Sequence, residues 1–170
     1  MTEISQGPQG PDAMVRAAFF SADMVYRYVL TRRWGEGAMV LFILLNPSTA
    51  DAIVDDPTVR RCIAFAKAWG YGGLYIVNLF AFRSTYPRDL RRVQDPIGAQ
   101  NDHVLSSYAE FSDLHVAAWG VHGDLKGRDA DVRALFSDQG YQLYHLGLTQ
   151  GGQPRHPLYL AKTTKLEVWA

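Results

Sequence analysis

The chain has a single cysteine, Cys62. One thiol excludes a disulfide framework, a cysteine-based zinc site and a four-cysteine iron–sulfur cluster within one chain. Cys62 falls in an apolar helical pattern and reads as an inert core thiol. Net charge is also missing, because 17 Lys and Arg balance 17 Asp and Glu. That balance argues against a strong non-specific polyanion binder and leaves room for a local basic patch. No apolar run reaches the roughly 18 residues of a membrane span, and the N-terminus lacks the apolar stretch of a signal peptide. A cytoplasmic protein without a membrane segment is the expectation. There is no Walker loop, no Gly-x-Gly-x-x-Gly fingerprint and no Gly-x-Ser-x-Gly elbow. His103, His115, His122, His145 and His156 lack tight metal-ligand spacing, so neither a metal nor another cofactor is expected.

What remains suits one soluble domain: 170 residues, 48% hydrophobic and 20% charged, long enough to bury a core without staples. Residues 1–12 hold Gly7-Pro8 and Gly10-Pro11 and almost nothing apolar. Residues 1–20 therefore read as a flexible tail and 21–170 as a single domain. Met24–Trp34 is rich in β-branched and aromatic residues and predicts a strand. After Gly35-Glu36-Gly37 the chain returns as Ala38–Leu45, which predicts an antiparallel hairpin.

The second arm leads into the most informative stretch, Leu41–Asp51, LFILLNPSTAD. A continuous apolar run ending in a turn signal reads as a fully buried strand. Beyond it, Asp55-Asp56-Pro57-Thr58 predicts a helix start. Leu74–Phe80 predicts a second buried strand, interrupted only by Asn78. Helical patterns follow at Asn101–Glu110 and Ala130–Gln139, with further strands at Leu114–Trp119 and Tyr141–Leu146. Alternating β and α elements after a leading hairpin predict an α/β three-layer sandwich with a mostly parallel central sheet.

Parallel strands send their exits to one edge, which is where ligands bind in open α/β sheets. The exits here are Asn46-Pro47-Ser48, Asn78 to Arg83, Gly120 to His122, and the stretch from Thr149 to Tyr159. Amides read base-like edges in pairs of hydrogen bonds. Phe80, Phe82 and Tyr159 are candidates to stack on a ring, and a histidine can donate to a developing oxyanion. Asn46 has a plainer alternative as the cap of a turn. Asn78, in an apolar strand, needs either a structural partner or a ligand. Asp51, Asp55 and Asp56 are explained by a helix N-terminus, with a role in chemistry as the alternative. His122 and Arg128 are assigned at most to the rim.

In this order the exits resemble the uracil-DNA glycosylase superfamily. Leu44-Leu45-Asn46-Pro47-Ser48 is similar to its first motif, with Ser48 standing where a glycine is usual. Ile76-Val77-Asn78-Leu79 is similar to the strand that reads the uracil edge. Ala81-Phe82-Arg83 with Pro87 echoes the stretch that follows it in the thermostable branch. Ala118-Trp119-Gly120 is similar to a third strand end, and Arg155-His156-Pro157-Leu158 to the last motif. The resemblance implies that Asn46 positions a water and that His156 stabilises the leaving base. It places Pro47, Ser48, Asn78, Phe80, Phe82, Arg83, Leu158 and Tyr159 at the base or substrate, Leu158 or Tyr159 being the wedge. The string as a whole resembles the domain-of-unknown-function 1643 family. The phrases that carry this are LNPSTAD, DDPT-RRC, WGYGGL-VNLFAFR and GQPRHPLYL.

The expectation is a nucleobase-recognising, DNA glycosylase-like N-glycosidic hydrolase of a kind that serves DNA repair. Two alternatives stay open. One is a non-catalytic module that binds a nucleotide or nucleic acid. The other is a hydrolase or transferase acting on a free nucleoside or nucleotide, which zero net charge suits better than a duplex.

Overall fold

A computed structural model describes residues 1–7, 14–48 and 53–169 of the chain. The strands are β1 (Thr2–Gln6), β2 (Val15–Phe20), β3 (Arg27–Arg33), β4 (Met39–Leu44), β5 (Gly73–Asn78), β6 (Leu114–Ala117), β7 (Leu143–His145) and β8 (Glu167–Val168). The helices are α1 (Pro57–Ala68), α2 (Asn101–Glu110) and α3 (Arg128–Asp138), with short 3-10 turns at Pro87–Arg91, Leu125–Gly127 and Pro157–Tyr159. Among the described residues the strands form one eight-stranded sheet in the order β1-β2-β3-β5-β4-β6-β7-β8.

All six residues of β4 are buried, as a continuous apolar run requires of a central strand. It pairs in parallel with β5 on one side and β6 on the other. Its side chains alternate between two cores. Val40, Phe42 and Leu44 meet Val59, Cys62, Ile63 and Phe65 of α1. Leu41 and Ile43 meet Val104, Leu105, Val132 and Phe136 of α2 and α3. Helices thus cover both faces of an α/β sheet. Helix α1 begins where Asp56 caps it, the carboxylate accepting from Val59 N at 2.8 Å just ahead of Pro57. Burial within this helix pushes the Cys62 thiol strongly upward, away from its reactive form.

Three expectations need correction. The sheet is mixed rather than mostly parallel. Only the central strands β5, β4, β6 and β7 run parallel, and every other pairing is antiparallel. A parallel neighbour needs a long crossover, and the three helices supply that only at the centre. The 1–20 segment is not a tail throughout, because β1 and β2 add to the sheet beside β3. β2 takes the edge of β3 that β5 leaves free, and its Ala17, Ala18 and Phe20 are buried. Gly10-Pro11 lies outside the described residues.

The third correction concerns the leading hairpin. β3 and β4 are consecutive but do not pair, since β5 lies between them. The crossover through α1 returns the chain to the side of β4 that faces β3. The link from β3 to β4 then arches over the start of β5. Trp34 N and Gly35 N both donate to Gly72 O, at 3.0 and 2.9 Å, while Gly72 N donates to Ala38 O at 3.0 Å. This approach leaves no room for a side chain. A Cβ on Gly72 would sit 2.7 Å from Glu36 O and 3.0 Å from Gly35 O.

Gly72→Ala is therefore expected to destabilise the protein by about 1–3 kcal/mol through backbone overpacking. Urea unfolding of the variant beside Gly70→Ala separates this clash from conformational strain, because Gly70 has positive φ but nothing within 4 Å of its Cβ position.

Candidate functional site

The exits of the parallel strands meet at one cavity of about 490 Å³. The chain leaves β4 through Leu45 and Asn46. The Asn46 amide nitrogen donates to Ser84 O at 2.8 Å and to Pro47 O at 3.2 Å. Ser84 N in turn donates to Pro47 O at 3.0 Å. The loop after β4 is thereby clamped to the loop after β5. Both donors of the Asn46 amide are engaged, and its Oδ1 has no partner among the described residues. That oxygen remains an acceptor on a residue that lines the cavity.

Asn78 ends β5. Its carbonyl is held from behind by the Asn101 amide of α2, at 3.0 Å, and the same amide takes Leu79 O at 3.0 Å. Arg128 of α3 donates to Leu79 O at 2.9 Å and pairs with Asp102. The backbone at this exit is pinned by two helices. The Asn78 side chain is in the opposite condition. It is 1% exposed and lines the cavity, and neither its oxygen nor its nitrogen has a hydrogen-bond partner among the described residues. Its donor and acceptor are therefore open to whatever occupies the cavity.

The exit of β6 positions the histidine. Gly120 has φ +78°, and its N–H donates to Pro154 O at 2.8 Å. Trp119 Nε1 donates to Gln153 Oε1 at 2.7 Å, and Gln153 Nε2 donates to Asp129 at 2.7 Å. These bonds hold the 153–156 stretch against the sheet, so His156 lines the same cavity as the two asparagines. His156 Nδ1 accepts from Leu158 N at 3.4 Å. The proton of a neutral ring then resides on Nε2, which is a donor. Burial lowers the His156 pKa below its ordinary 6.5, opposed by the charge of Asp56. The ring is therefore neutral near pH 7.

Asp56 lines the cavity as well as capping α1. Its second oxygen accepts from Ser48 Oγ at 3.1 Å. Helix-start chemistry and a place in the site are thus not alternatives for this residue. Arg27 completes the set. It is 4% exposed, lines the cavity, and its Nε has no hydrogen-bond partner among the described residues. Desolvation lowers its pKa to about 10, with Asp56 opposing and Arg83 and Arg32 reinforcing the shift. It keeps its charge at neutral pH.

Of the residues singled out from the sequence, Asn46, Ser48, Asn78, His156, Leu158 and Tyr159 are brought together here. The others are not. Pro47 is buried and serves through its carbonyl. Phe80 points into the core with α2 and α3 and is fully buried, so it cannot stack on a ligand in the cavity. Phe82 packs edge-on against Tyr26 at 6.1 Å. Arg83 donates to Met24 O at 2.9 Å and lies over the Phe20 ring. Phe82 and Arg83 border a separate surface cleft with Tyr86 and Arg92. Past the end of β5 the chain turns, which carries these side chains away from the exit of β4. His122 reaches the cavity wall, whereas Arg128 is a buried support and not a rim residue. Asp51 lies outside the described residues. Sequence reading missed Arg27, Ser84 and Trp119. The one available signal was an arginine at the start of a strand rich in apolar residues.

The His156 shift has a consequence for stability. An unfolded imidazole takes up its proton near 6.5, while the folded one resists it. Stability is full above that value and is lost as pH falls through the lower folded value. The unfolding midpoint is expected to fall as pH drops from about 7.5 to about 5, and to fall less in His156→Gln, as thermal unfolding across a pH series will record.

Among the described residues no helix is long and apolar enough to cross a membrane. No curated protein and no solved structure matches the chain. The likeness to uracil-DNA glycosylases accordingly rests on the motifs alone. One family model matches, described as a protein of unknown function (DUF1643), over residues 27–158. That span runs from Arg27 through all three helices to Leu158, and so takes in almost every residue of the cavity. On this match the chain belongs to the DUF1643 family.

Proposed function

We propose that the cavity receives a nucleobase and that the protein is a DNA glycosylase-like N-glycosidic hydrolase. The observation that carries this reading is the Asn78 amide, buried in the cavity wall with donor and acceptor both unpartnered. A nucleobase edge offers a neighbouring acceptor and donor, and an amide meets both at once. The order of the strand-exit motifs, and a parallel core that sends them to one edge, support a uracil-DNA glycosylase-like arrangement.

In this reading the Asn46 Oδ1 accepts a hydrogen bond from a water and aims it at the anomeric carbon. The water oxygen bonds to that carbon as the glycosidic C–N bond breaks. The electron pair leaves with the base, where charge collects on a carbonyl oxygen. His156 Nε2–H donates to that oxygen, a fixed donor in a largely buried site where such bonds are strong. Asp56 is the carboxylate of the cavity and takes the proton from the water. A base within a duplex first has to leave the stack, at a cost of a few kcal/mol. Single-stranded substrates avoid most of that cost.

The test is a glycosylase assay on end-labelled single- and double-stranded oligonucleotides. They carry uracil, hypoxanthine, hydroxymethyluracil or a mismatch, and alkali reveals abasic sites. Wild type is expected to cleave at least one substrate, faster in single strands. Asn46→Ala and His156→Ala are each expected to lower the rate by about 10²–10³-fold. A folded wild type inactive on every oligonucleotide overturns the DNA glycosylase reading. Base binding retained under those conditions, and lost in Asn78→Ala, leaves a recognition module.

A further inference from the structure

We propose that the ligand of the cavity carries a phosphate monoester and that Arg27 is its seat, which makes a 5′-mononucleotide the favoured substrate class. The base end of this ligand rests on the reading above, while the anion end stands on separate observations.

The protein supplies its own comparison. Three arginines are buried, Arg27, Arg32 and Arg128. Arg32 Nε meets Asp55 at 2.6 Å, and its Nη1 donates to Thr31 O at 2.8 Å. Arg128 pairs with Asp102 and donates to Leu79 O. Arg27 has no ion pair or side-chain hydrogen bond among the described residues, and its Nε is buried without a partner. It is also the one of the three that lines the cavity. Its backbone is firmly held, with N–H donating to Ala81 O at 2.9 Å. The backbone is therefore held while the side chain is not satisfied.

The surroundings do not cancel its charge. Asp56 attracts it from beyond ion-pair distance and already accepts from Val59 N and Ser48 Oγ. Arg32 and Arg83 repel it. A buried guanidinium without a counter-charge is strongly unfavourable, and an arginine does not escape by losing its proton. An entering anion removes that penalty. The planar fork of donors fits phosphate oxygens in pairs. A cavity of about 490 Å³ also exceeds what a lone base fills. With a net charge of zero, a small phosphate ester suits the chain better than a long polyanion.

Isothermal titration on the full chain tests this, using UMP, CMP, AMP and GMP, their nucleosides, orthophosphate, and an octanucleotide with and without a 5′-phosphate. At least one mononucleotide is expected to bind wild type about tenfold or more tightly than its nucleoside. Arg27→Gln should abolish that difference and leave nucleoside affinity in place. Its unliganded Tm should equal or exceed that of wild type, because an unpartnered buried charge is gone. Equal affinity for nucleotide and nucleoside, or a preference that survives Arg27→Gln, overturns the phosphate seat and leaves the base reading standing. Orthophosphate that stabilises wild type but not Arg27→Gln, with no nucleoside or nucleotide bound, keeps the seat and sinks the base reading. No binding of any probe overturns both. If Arg27→Gln fails to fold, Arg27→Lys replaces it. A weakened preference for the mononucleotide then supports the seat, and an unchanged one overturns it. Tighter binding of the 5′-phosphorylated octanucleotide than of any mononucleotide keeps the seat and assigns the phosphate to a strand end.

Discussion

The rest of the structure depends on the parallel ladder on both edges of β4. A strand paired on both sides and covered on both faces has no contact with water, and only an unbroken apolar run tolerates that position. Its alternate side chains reach into two separate cores. One of them seats α1, and the other seats α2 and α3. The crossovers that make its neighbours parallel also fix their direction, so the strands must release the chain at the same edge. The cavity is a consequence of that direction and of the point where the apolar run gives way to Asn46.

The treatment of buried polar groups divides the molecule. Behind the sheet edge their donors are engaged, and only the Asn101 Oδ1 is left without a partner among the described residues. The Asn101 amide takes two carbonyls, Arg128 has Asp102 and Leu79 O, and Arg32 has Asp55. At the front, the Asn78 amide and the Arg27 Nε are buried and unmet. Satisfied groups hold the backbone of the β5 exit still. Unmet ones face a space that a ligand can fill. Rigid support behind and unfilled hydrogen-bonding capacity in front is the arrangement expected of a preorganised binding site, since the donors and acceptors need no rearrangement when a partner arrives.

Asp56 joins these two halves. One of its oxygens caps α1 and the other takes the Ser48 hydroxyl, and its charge reaches both Arg27 and His156. Removing it would loosen the helix start and alter two ionisable groups together. The positions of Ser48, Asp56 and Asn46 tie the chemistry of the cavity to the same turn that ends the central strand. Local structure and site electrostatics are not independent here.

The sequence by itself determined the elements whose signal is periodic. β4, β5 and β6 announce themselves by apolar runs, α1 and α2 by their spacing and by the residues at their starts, and Asn46 and Asn78 by standing where such runs stop. Those features are local, because a few neighbouring residues decide whether a segment can be buried; His156, ten residues beyond the last such run, is marked only by the His-Pro motif. Only the tertiary structure decided what depends on pairing at a distance. The outer strands β1, β2 and β8 add to the sheet by antiparallel pairing outside the central ladder, which leaves little trace in their own residues. The insertion of β5 between β3 and β4 follows from the crossover through α1, not from the Gly35-Glu36-Gly37 turn. Phe80, Phe82 and Arg83 lie next to Asn78 in the chain but turn away from the cavity, because a strand that ends changes direction. Arg27, some fifty residues earlier, takes a place there. A sequence shows which side chains need a partner. It does not show which distant strand brings an arginine to an open cavity without a carboxylate to meet it.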